Sequence, residues 1–323
     1  MMRNVSRRDV VVSAGLAAAF GLASRVALVA PVQAQATAAP GTPFHRYKVG
    51  AFECTAIHDG IWEKPHDPAF VKNASLDEVK AALRAAGQTD AFVPIPFTPL
   101  IVSTSRDLVL FDAGTGGQVQ PTAGRLLDNM RGAGIDAGKI TKVMISHFHP
   151  DHIFGLMAKD TNAQVFPNAE IVVSAPEYKF WTDPTVIERL PEARRPLARR
   201  IQATFPAWKN VRQVEGEVEV APGIRTLATP GHTPGHIAFH LASGDAQMIF
   251  SGDTFYQPAL SLRTPQWQGA FDQDGPLAEQ SRRNLADRLV ADKIMVSGYH
   301  FPWPGAGTLA KDGTGYALTL ARA

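Results

Sequence analysis

The 323-residue chain has a single cysteine, Cys54. One thiol excludes a disulfide framework, and it excludes a zinc or iron–sulfur site built from several thiolates. Aromatic residues make up 8% of the chain, charged residues 19% and hydrophobic residues 45%. These are ordinary globular proportions, which exclude a disordered, collagenous or low-complexity chain. Neither charge dominates, with 32 Lys and Arg against 30 Asp and Glu. What basic excess exists sits at the start, where Arg3, Arg7, Arg8 and Arg25 face Asp9 alone within residues 1–36. The rest of the chain is slightly acidic, so no nucleic-acid footprint is present. No apolar run reaches the roughly 20 residues needed to span a bilayer. The run over residues 10–24 stops at Arg25.

That run has basic residues before it and the small-x-small triplet Ala34-Gln35-Ala36 after it. Together with Ser6-Arg7-Arg8-Asp9-Val10, it reads as a twin-arginine-type export signal over residues 1–36. The expected location is periplasmic or secreted, with no membrane attachment once the signal is removed. Residues 37–323 are then one domain, because neither a repeat nor a long linker interrupts them. A chain this long can bury a large core without staples. Residues 47–57 alternate as a strand, and Asp59-Gly60 signals a hairpin turn into Ile61-Trp62. Ser75-Leu76-Asp77-Glu78 is a capping box opening a helix that Gly87 ends. Residues 99–102 and 108–111 are strands, the second running into Asp112-Ala113-Gly114-Thr115-Gly116-Gly117, and residues 121–131 are a helix. The β-branched stretch 140–146 is a buried strand. Residues 176–206 read as helical, with Arg194, Arg195, Arg199 and Arg200 on a solvated face. Further strands fall at 223–229, 236–242, 247–250 and 294–297, a helix at 277–291, and a hairpin turn at Asp312-Gly313. Two runs of strands broken by helices predict two sheets with helices outside, an α+β fold.

The hexad His147-Phe148-His149-Pro150-Asp151-His152 leaves the buried strand directly. Three imidazoles and a carboxylate in six residues are metal-ligand chemistry. In an extended backbone His147 and His149 project to one side, and Pro150 bends the chain so that Asp151 and His152 face another point. One segment can thus serve two ions. Three further candidates each follow a strand: His232 after Thr229-Pro230-Gly231, Asp253 after Ser251-Gly252, and His300 after Gly298-Tyr299. Nitrogen and oxygen donors without thiolate suit zinc, with manganese, iron, cobalt or nickel as alternatives.

In this order the seven residues resemble the binuclear signature of the metallo-β-lactamase superfamily. The resemblance implies a four-layer αββα sandwich with two divalent ions at one edge. It assigns His147, His149 and His232 to the first ion and Asp151, His152 and His300 to the second. Asp253 bridges both, and Asp151 is the catalytic carboxylate that orients the nucleophile. Within the superfamily the chain is similar to the methyl parathion hydrolase group. The carriers are Gly50-x-Phe52-Glu53, Asp59-Gly60, Phe111-Asp112-x-Gly114, Pro121-Thr122-x-Gly124-Arg125-Leu126, Phe166-Pro167-Asn168-Ala169, Phe180-Trp181, Gly231-His232-Thr233-Pro234-Gly235-His236 and Phe301-x-Trp303-Pro304-Gly305. One departure is Val119, where that group has an aromatic residue at the pocket mouth. The resemblance implies an exported homodimer. A metal-bridging hydroxide would attack small uncharged esters, lactones or organophosphate triesters. The alternatives are a β-lactamase and a metal-binding module without catalysis. A flavin-linked redox protein is not expected, because it would need a flavin domain and 23 residues follow His300.

Other residues invite smaller roles. His236 and Asp112 are placed to orient metal ligands through hydrogen bonds. Phe180, Trp181, Phe255, Tyr256, Trp267 and Trp303 are candidates for a pocket lining. Cys54, within a strand, reads as buried and inert.

Overall fold

The computed structural model describes residues 41–322. The expected export signal, residues 1–36, lies outside them. In chain order the described strands are β1 (Phe44–Val49), β2 (Phe52–Ile57), β3 (Gly60–Lys64), β4 (Val93–Phe97), β5 (Leu100–Ser103), β6 (Leu108–Phe111), β7 (Lys142–Met144) and β8 (Glu170–Ser174). They continue with β9 (Val211–Val214), β10 (Glu219–Ala221), β11 (Ile224–Ala228), β12 (Ile237–Ser243), β13 (Ala246–Phe250), β14 (Met295–Ser297), β15 (Ala306–Asp312) and β16 (Gly315–Leu320). One seven-stranded sheet has the order β1-β2-β5-β6-β7-β8-β9, and a second has the order β10-β11-β12-β13-β14-β15-β16. From β6 to β9 the first sheet is parallel. The second is antiparallel except for the β13–β14 pair.

Successive residues of one strand enter different cores, which is why the strands read as unbroken apolar runs. On β6, Val109 and Phe111 face the space between the sheets, whereas Leu110 faces the outer helices. On β13, Met248 and Phe250 point into the same central space and Ile249 points outward. Phe111 meets both Phe239 and Phe250 across the interface with ring centroids 5.3 Å apart. The outer face of the first sheet is covered by the helices Leu126–Gly132, Ala175–Thr182 and Arg195–Thr204, and that of the second by Gly275–Ala291. This is the expected αββα sandwich.

Local differences from the sequence reading have physical causes. The single strand expected over residues 47–57 is the β1–β2 hairpin, reversed at Gly50, whose φ of 58° suits glycine. Asp59-Gly60 does not turn a hairpin, because β3 pairs with β4 in a separate ribbon. The buried Asp59 carboxylate accepts instead from Thr115 N at 2.9 Å, Thr115 Oγ1 at 2.8 Å and Leu126 N at 2.8 Å. Gly124 and Arg125 donate to the Asp59 carbonyl, so the helix expected from residue 121 starts only at Leu126. The capping box at Ser75 opens the helix Leu76–Ala85 as expected. The stretch 176–206 breaks into Ala175–Thr182, Val186–Arg189 and Arg195–Thr204. Among the described residues no helix is long and apolar enough to cross a membrane.

Candidate metal centre

The seven candidate donors all sit just beyond the C-terminal ends of β7, β11, β13 and β14, at one edge of the sandwich. His147 and His149 follow β7, His149 in extended backbone, and Pro150 then starts the short helix Pro150–Ile153 that carries Asp151 and His152. The structure brings the seven side chains into two adjoining groups: His147, His149, His232 and Asp253, and Asp151, His152 and His300. Within each group one donor atom per residue lies within 4.8 Å of the others.

Asp253 faces both groups. Its Oδ2 lies 3.2 Å from His232 Nε2 and 3.9 Å from His147 Nε2. Its Oδ1 lies 3.3 Å from His152 Nε2 and 3.1 Å from His300 Nε2. Asp151 Oδ2 stands 3.4 Å from both His152 Nε2 and His300 Nε2. On the other side, His149 Nδ1 faces His232 Nε2 at 3.0 Å. His147 Nε2, His152 Nε2 and Asp253 Oδ1 are buried with no hydrogen-bond partner among the described residues. Buried polar atoms left unpaired are costly, and a pair of cations would satisfy all three. The donor set therefore fits two divalent ions, with Asp253 between them.

Apart from His149 Nε2, which is buried without a partner among the described residues, the ring nitrogens facing away from the cluster are held by other groups. Asp112 Oδ2 takes His152 Nδ1 at 2.7 Å, and the same carboxylate accepts from Ser146 N and Ser146 Oγ at 2.8 Å each. Asp112 does this at a φ of 54°, a left-handed backbone that aspartate tolerates better than most residues. Ser146 Oγ also meets His147 Nδ1 at 3.0 Å. His300 Nδ1 reaches the Pro96 carbonyl at 2.8 Å. His236 Nε2 accepts from the Asp253 backbone N–H at 3.0 Å, and its Nδ1 pairs with Thr229 Oγ1 at 2.8 Å. Gly252 is needed beside it, because a Cβ there would lie 2.8 Å from Ser146 Cβ and 2.9 Å from His236 Nε2. The orienting roles expected of Asp112 and His236 are thus present as contacts.

Three supporting residues escape sequence reasoning. Asp272 Oδ1 holds His232 Nδ1 at 2.9 Å, while its Oδ2 pairs with Arg282 at 3.1 Å. Arg282 is 1% exposed and also donates to the carbonyls of Thr254, Pro265 and Trp267. Glu177 accepts from Phe148 N, Trp181 Nε1, Thr233 Oγ1 and Gly235 N at 2.7–2.9 Å. It therefore ties the loop of His147 and His149 to the loop of His232. None of the three belongs to a recognisable local motif, so only the folded chain reveals it.

Charge is distributed unevenly over the cluster. Burial and the neighbouring imidazoles hold His147 and His149 well below the ordinary histidine range, so both are neutral and ready to donate a lone pair. Burial also works against a proton on His232. The Asp253 and Asp272 carboxylates outweigh it and push that imidazole up to about 9. His152 and His300 are raised in the same way, against burial, by Asp253 and Asp151.

His149, Asp151, Asp253 and His300 line the floor of an apolar cavity of about 350 Å³, walled by Trp62, Phe70, Phe97, Val119, Tyr256 and Phe271. Of the six aromatics expected to line a pocket, only Tyr256 does so. Trp181 and Phe255 are fully buried, Trp267 is in the central core, Phe180 packs on the outer core, and Trp303 meets His58 edge-on. Val119 does reach the cavity, and its aromatic character comes instead from β3 and from loops around residues 70 and 271. The Tyr256 hydroxyl is buried without a partner among the described residues, and burial pushes its pKa up, so it remains a proton donor. Arg194 also lines the cavity, which corrects the reading of that arginine as part of a solvated face.

Comparison with known proteins agrees with this geometry. The chain is 30% identical to an N-acyl homoserine lactonase of Bacillus sp over 123 residues, which is 37% of this chain and 41% of the relative. It is 32% identical to a hydroxyacylglutathione hydrolase of Pseudomonas entomophila over 116 residues, 35% of this chain and 33% of that protein. The matches thus span less than half the length of these curated relatives. The solved structure of AidC, a dizinc quorum-quenching lactonase in complex with an N-acyl homoserine product, superposes with a TM-score of 0.82 at 26% identity. It covers 87% of this chain and 98% of that one. The hydrolase AbOPH of the β-lactamase superfamily shares the fold at a TM-score of 0.80 and 23% identity, over 88% of this chain and 99% of that one. The profile of the metallo-beta-lactamase superfamily matches residues 99–298, a span that runs from β5 to the strand before His300, and the chain belongs to that superfamily.

Proposed function

We propose that the chain is a two-metal hydrolase that opens lactones and related esters, akin to the lactonase and methyl parathion hydrolase branches of its superfamily. The observation that carries this reading is the convergence of two donor groups on Asp253 at the floor of an apolar cavity. Bound there, two divalent ions, zinc foremost, would lower the pKa of a shared water from 15.7 to about 7 and polarise a carbonyl or phosphoryl oxygen. The chain's own residues supply the rest. Asp253 fixes the spacing of the two groups through its two oxygens. Asp151 is the most exposed of the donors, with a side chain 18% accessible at the cavity floor, and is placed to orient the nucleophile. The Tyr256 ring contributes to the wall beside the donors. The apolar walls exclude water and accommodate a hydrocarbon portion.

The similarity to AidC, which binds an N-acyl homoserine product, favours lactones over phosphotriesters within this class. The leader reading adds export to the periplasm or beyond, and the family resemblance adds a homodimer. Mass-spectrometric metal analysis of protein purified without added metal tests the first part, with about two divalent ions per chain expected. A panel of chromogenic lactone, phosphotriester, ester and β-lactam substrates, with and without chelator, tests the second. Chelator-sensitive lactone turnover is the expected result. Turnover untouched by full metal removal, or β-lactam turnover alone, would overturn the reading.

A further inference from the structure

The cavity has one wall that its apolar lining does not explain. Arg194 lines the cavity beside His149, and burial lowers its pKa, opposed by the Asp272 charge. Its Nη2 touches the carbonyls of Ala270 and Phe271 only at 3.4 Å each. The nearest carboxylate, Asp272, is already taken by His232 at 2.9 Å, by Arg282 at 3.1 Å and by the Gly269 N–H at 3.1 Å. Arg194 forms no ion pair among the described residues.

The backbone placement is equally unfavourable. Arg194 is the residue immediately before the helix Arg195–Thr204, whose first turn contains no acidic residue. A helix N-terminus carries partial positive charge, so a cation there is disfavoured. The neighbouring Arg195 adds to that. Position, burial and lack of a counter-charge all cost stability. Arg194 is half-buried, and of its five N–H groups only those on Nη2 have protein partners, so the remaining donors are open to an oxygen entering the cavity.

We propose that Arg194 is a specificity-determining residue that grips a second acceptor oxygen of the substrate, a carbonyl or carboxylate separate from the scissile ester. The cavity then selects esters or lactones that combine an apolar chain with such an acceptor over plain alkyl ones. The inference rests on the hydrolase reading for its substrate, while the contact itself rests on the cavity wall.

The test uses metal-loaded protein and lactones matched in ring and chain length. One member has a plain alkyl chain, one has an amide carbonyl between ring and chain, and one carries a carboxylate on the chain. The wild type is expected to prefer an acceptor-bearing member by about 10- to 100-fold in kcat/KM, the range for a hydrogen bond to a charged group. That ratio should collapse toward one in Arg194→Gln and be partly restored in Arg194→Lys, which keeps the charge without the fork. Loss confined to the amide member identifies a neutral carbonyl, and loss confined to the carboxylate member identifies an anion; both support the proposal. An equal fall for all three members, or loss of bound metal in Arg194→Gln, overturns it. Calorimetric binding of N-butylhexanamide, which has no ester to cleave, separates the two readings. If the wild type opens no ester yet binds this amide through Arg194, the hydrolase reading fails and the proposal stands. If esters are opened and neither the ratio nor amide binding depends on Arg194, the proposal falls and the hydrolase reading stands.

Discussion

The two halves of the sandwich build their share of the metal centre in opposite ways. The first half supplies His147, His149, Asp151 and His152 from one segment of six residues, set by one strand end and one proline. The second supplies His232, Asp253 and His300 from three loops after three different strands. Bracing follows the same contrast. Within the first segment Asp112 serves both His152 and Ser146, and Glu177 takes the Phe148 N–H. Each donor of the second half has its own support: Asp272 with Arg282 for His232, His236 for the Asp253 backbone, and the Pro96 carbonyl for His300. A contiguous motif can share its buried polar contacts, whereas dispersed donors need separate ones, which cost stability if any one is removed.

The largest effect is expected where the halves meet. Asp253→Ala removes the carboxylate shared by both groups. Metal content measured by mass spectrometry should fall from about two ions per chain toward none, and lactone turnover should fall with it. Retention of one tightly held ion would mean that one donor group, drawn from both halves, binds alone and would break the symmetry implied by a shared carboxylate.

Comparing the two braces sharpens the contrast. Asp112→Asn and Asp272→Asn should each weaken metal binding by about 10- to 100-fold, as loss of a ligand-orienting carboxylate does. They should differ in stability. Asn tolerates the left-handed backbone at 112, and its NH2 strands only the donors on one carboxylate oxygen, a cost of about 1–3 kcal/mol. Asp272→Asn strips the counter-charge from the fully buried Arg282, at a cost of about 3–5 kcal/mol. Chemical denaturation of the two variants reads this directly, and equal destabilisation would contradict the comparison.

The smallest effect belongs to the joint between the loops. Glu177 accepts four hydrogen bonds, and Glu177→Gln puts an NH2 donor where one carboxylate oxygen accepts two of them. A loss of about 2–4 kcal/mol in folding stability is expected from the stranded donors. Metal affinity should fall by less than in either brace variant. A larger loss of metal than for Asp272→Asn would place the control of His232 in Glu177 rather than in Asp272.

How much was legible in the sequence follows from the same contrast. The hexad could be read because chemistry and spacing coincide in one stretch. His232, Asp253 and His300 could be read because each follows a recognisable strand in a fixed order. Asp272, Arg282 and Glu177 could not, since nothing local distinguishes a buried, shared charge from a solvated one. Arg194 was misjudged for the same reason: four arginines on a helical stretch look solvated until the breaks at residues 183–194 turn one of them into the cavity. The fold class was legible from strand and helix runs. The turn at Gly50 was hidden because the alternation of Tyr47, Val49 and Phe52 runs through it almost unbroken. Aromatic residues gave a poor guide to the cavity, because Trp181 and Phe255 pack in cores while the cavity draws on Trp62, Phe70 and Phe271.

Phe271 and Asp272 are chain neighbours, one at the mouth of the cavity and 37% exposed, the other gripping a donor imidazole. Whatever reshapes the entrance at position 271 therefore also pulls on the peptide that seats His232. Attempts to broaden the range of compounds admitted by altering that ring will change ion retention in the same stroke. The two properties have to be assayed together, because a variant that seems merely fussier about its guests can in truth be short of its ions.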